Sequence, residues 1–348
     1  MFVDPKTSGT EGGDTPLLSV IVPVYRTPEE LLRGALDSIL ASEGVTLELI
    51  CVDDCPGCES SKVLEEYRNR DPRVVLLVND RNRGVSHSRN RGLAAARGEW
   101  LAFQDSDDSV LPDGYATLIA FAKEHNVDAV RALARLLQEP KELTINGIPA
   151  GEWRVASTTN GPEEALRSIV PWFSWTVWGG VCRRESVANL RFLERVARYE
   201  DSAFVAEMLL RPLRVGCLNR YFLTVYQHAD SLSRVEPKPR SYVEYAIAAR
   251  RIARLMERGK ETIAPLILRF YAWRCLHILF SDRRGHNSPL TRRQRRAFCV
   301  GARDTCRVLH PHLPARLRLP LFLLITAPRL LFMPGNLLWN AIKWGMTR

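Results

Sequence analysis

The chain has 348 residues, of which 46% are hydrophobic and 25% are charged. This composition indicates a globular protein with a sizeable core, and it excludes a disordered or fibrous chain. The net charge of +10 is uneven, because residues 1–240 carry 29 basic and 34 acidic side chains whereas residues 241–348 carry 20 and 5. The basic last third indicates either an anionic partner or a solvated helical face, and its apolar ending fits a lipid surface better than nucleic acid.

The first hundred residues alternate between predicted strands and helices. Residues 1–16 are polar, lack the pattern of a secretory signal, and are interpreted as a flexible N-terminus in the cytosol. Residues 17–24 (LLSVIVPV) predict a strand covered on both faces, and Thr27-Pro28-Glu29-Glu30 predicts a capped helix start. Further strands are predicted at 47–52, 74–78 and 100–104, with helices at 60–70 and 86–96. The pattern indicates an α/β fold, a mostly parallel sheet flanked by helices.

Acidic residues follow two of these strands. Asp53 and Asp54 end the second strand, and Asp105 and Asp107 end the fourth. Parallel strands place both pairs at the same rim of the sheet, where ligands bind in open α/β folds. A divalent cation would offset the repulsion between these carboxylates. The alternative is a solvated turn at 105–108 that precedes a helix near Pro112. The glycine-rich loops of dinucleotide-binding and Walker A proteins are missing after the first strand.

Seven ordered segments between residues 17 and 234 resemble the family 2 glycosyltransferases. The resemblance implies a Rossmann-like GT-A domain at residues 17–235 and a helical C-terminal extension at 236–348. The segments are SVIVPVY (19–25), VDD (52–54), NRGVSHSRNRGLAAARGEW (82–100), FQDSDD (103–108), TVWGGVCRRE (176–185), RFLERVARYEDSAF (191–204) and YQHADSLSR (226–234).

The resemblance implies an enzyme that moves a sugar, with inversion, from a nucleotide diphosphate to an acceptor hydroxyl. Pro23 and Tyr25 would form a shelf for the nucleotide. Asp54 would hydrogen-bond the base, and Asp53 would support it. The residues implied to bind the donor nucleotide are Pro23, Tyr25, Asp53, Asp54, Arg89 and Asp105. For Arg89, which could meet the ribose or the diphosphate, a surface position in an arginine-rich helix is the alternative.

The resemblance also implies a metal site and a base. Asp107 and His228 would hold Mn²⁺ or Mg²⁺, which neutralises the diphosphate as it leaves, although His228 could equally be a packed or surface residue. Asp201 would deprotonate the acceptor. From the residues alone, Glu200 and Asp201 could simply be acids at the start of a helix at 203–210.

Two segments depart from the family pattern. Gly179-Gly180 stands where the family usually has Asn-Lys, and Cys55-Pro56-Gly57-Cys58 replaces the usual Gly-Ser-Thr-Asp. The eight cysteines are interpreted as reduced thiols, but Cys55 and Cys58 could be a redox pair or half of a zinc site.

The basic C-terminal region contains two apolar segments at 319–328 and 330–344. Spanning a bilayer takes about 20 apolar residues, whereas the charge-free stretches here have 10 and 13 and are broken by prolines. An interfacial anchor is therefore predicted, and a helix pair packed on the catalytic domain is the alternative.

The whole chain is predicted to be a peripheral enzyme on the cytoplasmic face of the cell membrane, in cell-envelope or exopolysaccharide synthesis. Its expected partners are a nucleotide-sugar donor, with a UDP-sugar favoured, a glycan or lipid-linked acceptor, and the membrane surface; no nucleic-acid partner is expected. The alternative is a catalytically degenerate GT-A domain that serves as a membrane-bound scaffold or sugar-binding module.

Overall fold

The computed structural model describes residues 15–136, 151–157, 176–194, 196, 200–209 and 211–226, together with 244, 247, 251 and 307. Within them the longer elements alternate as the sequence predicts. The strands are β1 (Leu18–Val24), β2 (Leu47–Asp53), β3 (Val74–Val78), β4 (Trp100–Phe103), β5 (Ser109–Val110), β6 (Ala129–Leu136), β7 (Trp153–Ser157), β8 (Gly180–Arg183) and β9 (Arg214–Val225). The helices are α1 (Glu29–Leu40), α2 (Glu59–Arg70), α3 (Val85–Ala95), α4 (Gly114–Glu124) and α5 (Glu200–Leu209), with a short 3-10 helix at Glu185–Val187.

Strands β3, β2, β1 and β4 form a parallel half-sheet in that order. All seven residues of β2 are buried, as the continuous apolar run predicts for a strand covered on both faces. The register pairs Val24 with Asp53 and Ile21 with Phe103. The two predicted acidic pairs therefore leave their strands at the same rim, which confirms the placement expected from the sequence.

The other half of the sheet is mixed. Strand β8 lies between β4 and β6 and is antiparallel to both, whereas β6 and β9 are parallel. Strands β5 and β7 pair antiparallel with β9. The α/β class with flanking helices is confirmed. Every strand pair among β1–β4 is parallel, whereas the other half of the sheet combines parallel and antiparallel pairs.

The start of α1 differs from the prediction. Its N-cap is Pro28, and no side chain caps it. Thr27 instead makes a hydrogen bond through Oγ1 to Ser106 Oγ, at 2.6 Å. The predicted threonine cap is therefore wrong, because this hydroxyl ties the end of β1 to the acidic turn after β4.

The predicted boundary at residue 235 and the C-terminal apolar segments lie outside the described residues. Among the helices that the structure does describe, none is long and apolar enough to cross a bilayer. The membrane anchor stays a prediction.

Candidate active site

Asp53 is enclosed by the loop that follows β2. Its side chain is buried, Oδ1 accepts a hydrogen bond from the Cys55 N–H at 2.9 Å, and Oδ2 accepts one from Ser61 Oγ at 2.6 Å. Both carboxylate oxygens therefore have partners within the protein. The supporting part predicted for Asp53 fits this position, one residue before Asp54.

Asp54 organises the loop between β3 and α3. Its Oδ1 accepts hydrogen bonds from Asn79 Nδ2 at 2.6 Å and the Arg83 N–H at 2.7 Å, and Oδ2 accepts one from the Gly84 N–H at 2.8 Å. Gly84 has φ +89°, which favours glycine at the start of α3. The Asp54 carboxylate thus fixes the loop between β3 and α3, which borders the rim of the sheet. A contact with a nucleobase stays a prediction.

The end of β1 offers an exposed aromatic face. Tyr25 is 46% exposed, and the Arg26 guanidinium lies 5.4 Å from its ring centroid. Pro23 is partly buried two residues earlier. This geometry suits the predicted nucleotide shelf, because an exposed ring at the rim can stack on a base.

Arg89 is buried and joins two acidic segments that are far apart in sequence. Its Nη1 donates to Glu200 Oε1 at 2.7 Å, and its Nη2 donates to Asp105 Oδ1 at 3.0 Å. Burial acts to lower the pKa of Arg89, but the carboxylates of Asp105, Glu200 and Asp201 outweigh it and raise that pKa. The surface alternative for Arg89 is therefore wrong: it is an ionised bridge between the turn after β4 and the start of α5.

The turn after β4 crowds three carboxylates. Asp105 and Asp107 are half-buried, whereas Asp108 is only 2% exposed, so the solvated-turn alternative is wrong for Asp108. Burial, reinforced by Asp105 and Asp107, raises the pKa of Asp108 to about 9. Burial likewise raises the pKa of Asp105, with Arg89 opposing and Asp107 adding to it. A cation at this turn would relieve that repulsion.

The predicted base lies in the first turn of α5, beside the same cluster. Asp201 is half-buried, and its Oδ1 accepts a hydrogen bond from the Ser202 N–H at 2.7 Å. Burial, with the neighbouring Asp201 carboxylate, raises the pKa of Glu200 to about 7 against the opposing effect of Arg89. The Asp201 carboxylate also raises the pKa of Asp105. The structure thus brings together Arg89, Asp105, Glu200 and Asp201.

The donor set for a metal ion is only partly described. Asp107 lies in the acidic turn, and the Tyr226 N–H donates to Asp108 Oδ1 at 3.1 Å. His228 lies outside the described residues, two positions after Tyr226 in the sequence. Within the described residues, no group of three or more His, Cys, Asp or Glu side chains is arranged to hold a metal ion. The carboxylates that are present fit a hard cation such as Mn²⁺ or Mg²⁺ in their chemistry.

Packing explains why Gly179-Gly180 replaces larger residues. A Cβ at Gly180 would lie 1.9 Å from the Val130 carbonyl oxygen, and one at Gly179 would lie 2.1 Å from Arg131 Nη2. The buried Arg131 guanidinium donates to the carbonyl oxygen of Thr176 and interacts with Asp201. Sequence reasoning missed Arg131, because a lone arginine in a strand carries no motif.

The parallel half-sheet, its acidic rim and helix α5 beside that rim match the arrangement expected of a GT-A glycosyltransferase. The model of glycosyl transferase family 2 matches residues 19–137. The chain is 30% identical over 255 residues to YibD of Escherichia coli (strain K12), an uncharacterized glycosyltransferase, and the match covers 72% of this chain and 73% of YibD. The chain therefore belongs to glycosyl transferase family 2.

Two further comparisons agree with this assignment. ExoO, a succinoglycan biosynthesis protein of Rhizobium meliloti (strain 1021), is 37% identical over 141 residues, which cover 38% of this chain and 40% of ExoO. Staphylococcus aureus TarS, solved in complex with UDP-GlcNAc, superposes with a TM-score of 0.69 at 20% identity, covering 95% of this chain and 90% of that chain. At that identity the superposition establishes the shared fold.

Proposed function

We propose that this glycosyltransferase moves a sugar from a nucleotide-diphosphate donor, most favourably a UDP-sugar, to a glycan or lipid-linked hydroxyl with inversion of the anomeric carbon. The observation that carries the proposal is the chain of ion pairs from Asp105 through Arg89 to Glu200. It joins the donor rim, the edge of the sheet where β1, β2 and β4 end and where the donor is predicted to bind, to the helix that bears the predicted base. ExoO and TarS suggest a role in exopolysaccharide or cell-wall synthesis.

The donor would lie across the carboxyl ends of β1, β2 and β4. The Tyr25 ring would stack on the base, Asp54 would accept from its edge while holding the loop that begins α3, and Asp105 would accept from the ribose. The fixed hydrogen bonds of Asp53 and Asp54 keep this surface in one conformation before the donor arrives. Such preorganisation reduces the ordering cost of binding.

Enzymes of this family often use a divalent ion, and here Asp107, with His228, would hold it. When bound, that ion would supply charge neutralisation for the diphosphate as it leaves. The protein's own part is to crowd Asp105, Asp107 and Asp108 so that the turn has a high affinity for positive charge. Asp201 would accept the proton of the acceptor hydroxyl as the new glycosidic bond forms.

Arg89 would be a positioning residue in this mechanism. It donates a hydrogen bond to Glu200 at 2.7 Å, and Glu200 directly precedes Asp201 at the start of α5. The same guanidinium orients Asp105, so donor contact and base position depend on one buried cation.

The catalytic face is proposed to work at the inner surface of the membrane, where the basic C-terminal region would bind anionic lipid.

The test is calorimetric titration of the full chain with UDP, GDP and CDP, with and without Mn²⁺ or Mg²⁺. We expect UDP to bind in a metal-dependent manner, and Asp107→Asn to lose that dependence. Asp113→Asn is the matched control, because Asp113 is an exposed acid that pairs with Arg220 in the same part of the chain. Product anomers identified by NMR test inversion.

Absence of nucleotide binding under every condition would overturn the proposal. Metal-dependent binding without transfer to any acceptor or to water would instead favour the degenerate sugar-binding module.

A further inference from the structure

The turn Cys55-Pro56-Gly57-Cys58 places two thiols next to the donor rim, and the proposed transfer does not use them. The Cys58 N–H donates to the Cys55 carbonyl oxygen at 3.1 Å, and Gly57 has φ +84° after a proline. These features define a type II β-turn, which holds its first and fourth Cα atoms within about 7 Å. A disulfide spans Cα separations of about 4.4–6.8 Å, so the turn brings the two cysteines within reach of one.

The two thiols differ in reactivity. Cys58 is the N-cap of the twelve-residue helix α2, and its Sγ lies 3.0 Å from Ser60 Oγ. Partial burial acts to raise the pKa of Cys58, but hydrogen bonds with Ser60, Cys55 and Ser61 outweigh it and lower that pKa to about 7. Cys58 is therefore the nucleophile of the pair, because the thiolate is the reactive form.

Cys55 has the complementary character. Its hydrogen bond with Arg26 acts to lower its pKa, but partial burial and the Cys58 thiol outweigh that effect and raise it. Cys55 is thus a protonated partner in direct contact with Cys58. By contrast, burial raises the pKa of Cys51 to about 12, which leaves that thiol inert.

The turn is mechanically connected to the donor rim. The Cys55 N–H and the Ser61 hydroxyl are the two hydrogen-bond donors to Asp53, and Ser61 Oγ also donates to the Cys55 carbonyl oxygen at 2.9 Å. On the other side, Arg26 contacts Cys55 and lies over the Tyr25 ring. A covalent change in the turn therefore acts on both Asp53 and the aromatic shelf.

We propose that Cys55 and Cys58 form a thiol–disulfide exchange site for low-molecular-weight disulfides, and that the oxidised form binds the nucleotide sugar more weakly. The weakening follows because the disulfide removes the Cys55 thiol from Arg26 and tightens the turn that holds Asp53. This coupling rests on the proposed function. Zinc is disfavoured, because two thiols supply half of a tetrahedral set and the described residues arrange no third ligand beside them.

The proposed thiol–disulfide exchange proceeds in two steps. The Cys58 thiolate attacks one sulfur of the small disulfide RSSR, which breaks its S–S bond and releases RS⁻. The Cys55 sulfur then attacks Cys58 Sγ in the mixed disulfide, forms the intramolecular bond and releases the second RS⁻. The two protons of the dithiol end on two RSH molecules, so the protein is oxidised by two electrons and RSSR is reduced.

The test uses the full chain incubated with oxidised glutathione or with dithiothreitol. We expect the tryptic peptide of residues 34–62 to lose two hydrogens on oxidation and to regain them with dithiothreitol. Calorimetry should show UDP binding about tenfold weaker in the oxidised protein, the effect of disturbing one charge-assisted contact. Cys55→Ser and Cys58→Ser should form no intramolecular disulfide and lose this response. Cys51→Ala is the matched control and should keep it.

Failure of the disulfide to form would overturn the exchange site. A disulfide that leaves UDP affinity unchanged would overturn the coupling. If neither the reduced nor the oxidised protein binds any nucleotide, both the proposed function and the coupling are refuted. The mass of the peptide still shows, independently of nucleotide binding, whether the disulfide forms.

Discussion

Two acidic pairs follow buried strands at one rim of the sheet, yet the protein treats them in opposite ways. Asp53 and Asp54 receive five hydrogen bonds from their own loops. Asp105 and Asp107 instead belong to a turn where burial and mutual repulsion raise the pKa of Asp105 and Asp108. The first pair is held by neutral hydrogen-bond donors, whereas the second adds its charge to a crowded turn whose repulsion a cation would relieve.

The largest expected effect concerns Asp201, the predicted base at the start of α5. Asp201→Asn should reduce turnover about 10³-fold, since an amide cannot accept the acceptor proton. UDP affinity should persist, because the predicted donor contacts lie on β1, β2 and β4. Glu207→Gln on the same helix is the control, since its carboxylate pairs with Arg251. Turnover of Asp201→Asn near the wild-type rate would assign the base elsewhere.

The contrast between the Asp53–Asp54 pair and the Asp105–Asp107 pair is tested by the free energies of unfolding of variants in each. Asp54→Ala should lower the free energy of unfolding by about 3 kcal/mol, because it leaves several buried donors without their acceptor. Asp107→Ala should cost less stability than Asp54→Ala, since it also removes repulsion from the turn. Urea denaturation measures both. The reverse order of stabilities would refute the division into a satisfied pair and a crowded one.

A pH effect of intermediate size is expected from Glu200. Its pKa is raised to about 7, so between pH 4.5 and 7 the folded state keeps a proton that the unfolded state has lost. Stability contributed by this group is therefore greatest at acidic pH and falls as the pH rises through that window. Glu200→Gln should remove a decline on the order of 2 kcal/mol. Parallel pH profiles of the two proteins would contradict the raised pKa.

The smallest effect concerns the support of Asp53. Ser61→Ala removes one of its two donors and should cost about 1 kcal/mol of stability. Ser42→Ala is the control, because the Ser42 hydroxyl makes a longer hydrogen bond of 3.4 Å to the Ser38 carbonyl oxygen. Equal unfolding midpoints for the two variants would show that Ser61 contributes nothing specific to Asp53.

The sequence predicted the parallel half of the fold well, because each strand is a continuous apolar run between clear helix signals. Strand β3 matches the predicted 74–78, and β2 and β4 each differ by one residue at their ends. The common rim followed from topology alone, since parallel strands all end on one side. The mixed half was not predicted, because β8 has four residues and its two partners are distant in sequence.

The sequence indicated which residue types the candidate site contains, but it did not indicate which of these residues contact one another. The sequence singled out Arg89 for a donor contact that stays a prediction, and it did not indicate the partner Glu200, which lies 111 positions away with no spacing rule to relate the two. The use of Asp54 to hold the α3 loop was also missed, because backbone donors are invisible in a sequence. The two glycines at 179 and 180 were read only as a departure from the family pattern, whereas the structure shows that Gly180 lies too close to the β6 backbone for any side chain.

The insertion of β8 between β4 and β6 has a consequence for synthesis. The chain completes β4 about 80 residues before its neighbour β8 emerges, so the edge that carries Trp100 stays open during that interval. An unpaired edge of a buried strand can pair with another chain. Arg183 later closes it, with its guanidinium on the Trp100 ring and an ion pair to Glu99. A fragment that ends near residue 137 would keep this edge and be prone to aggregate.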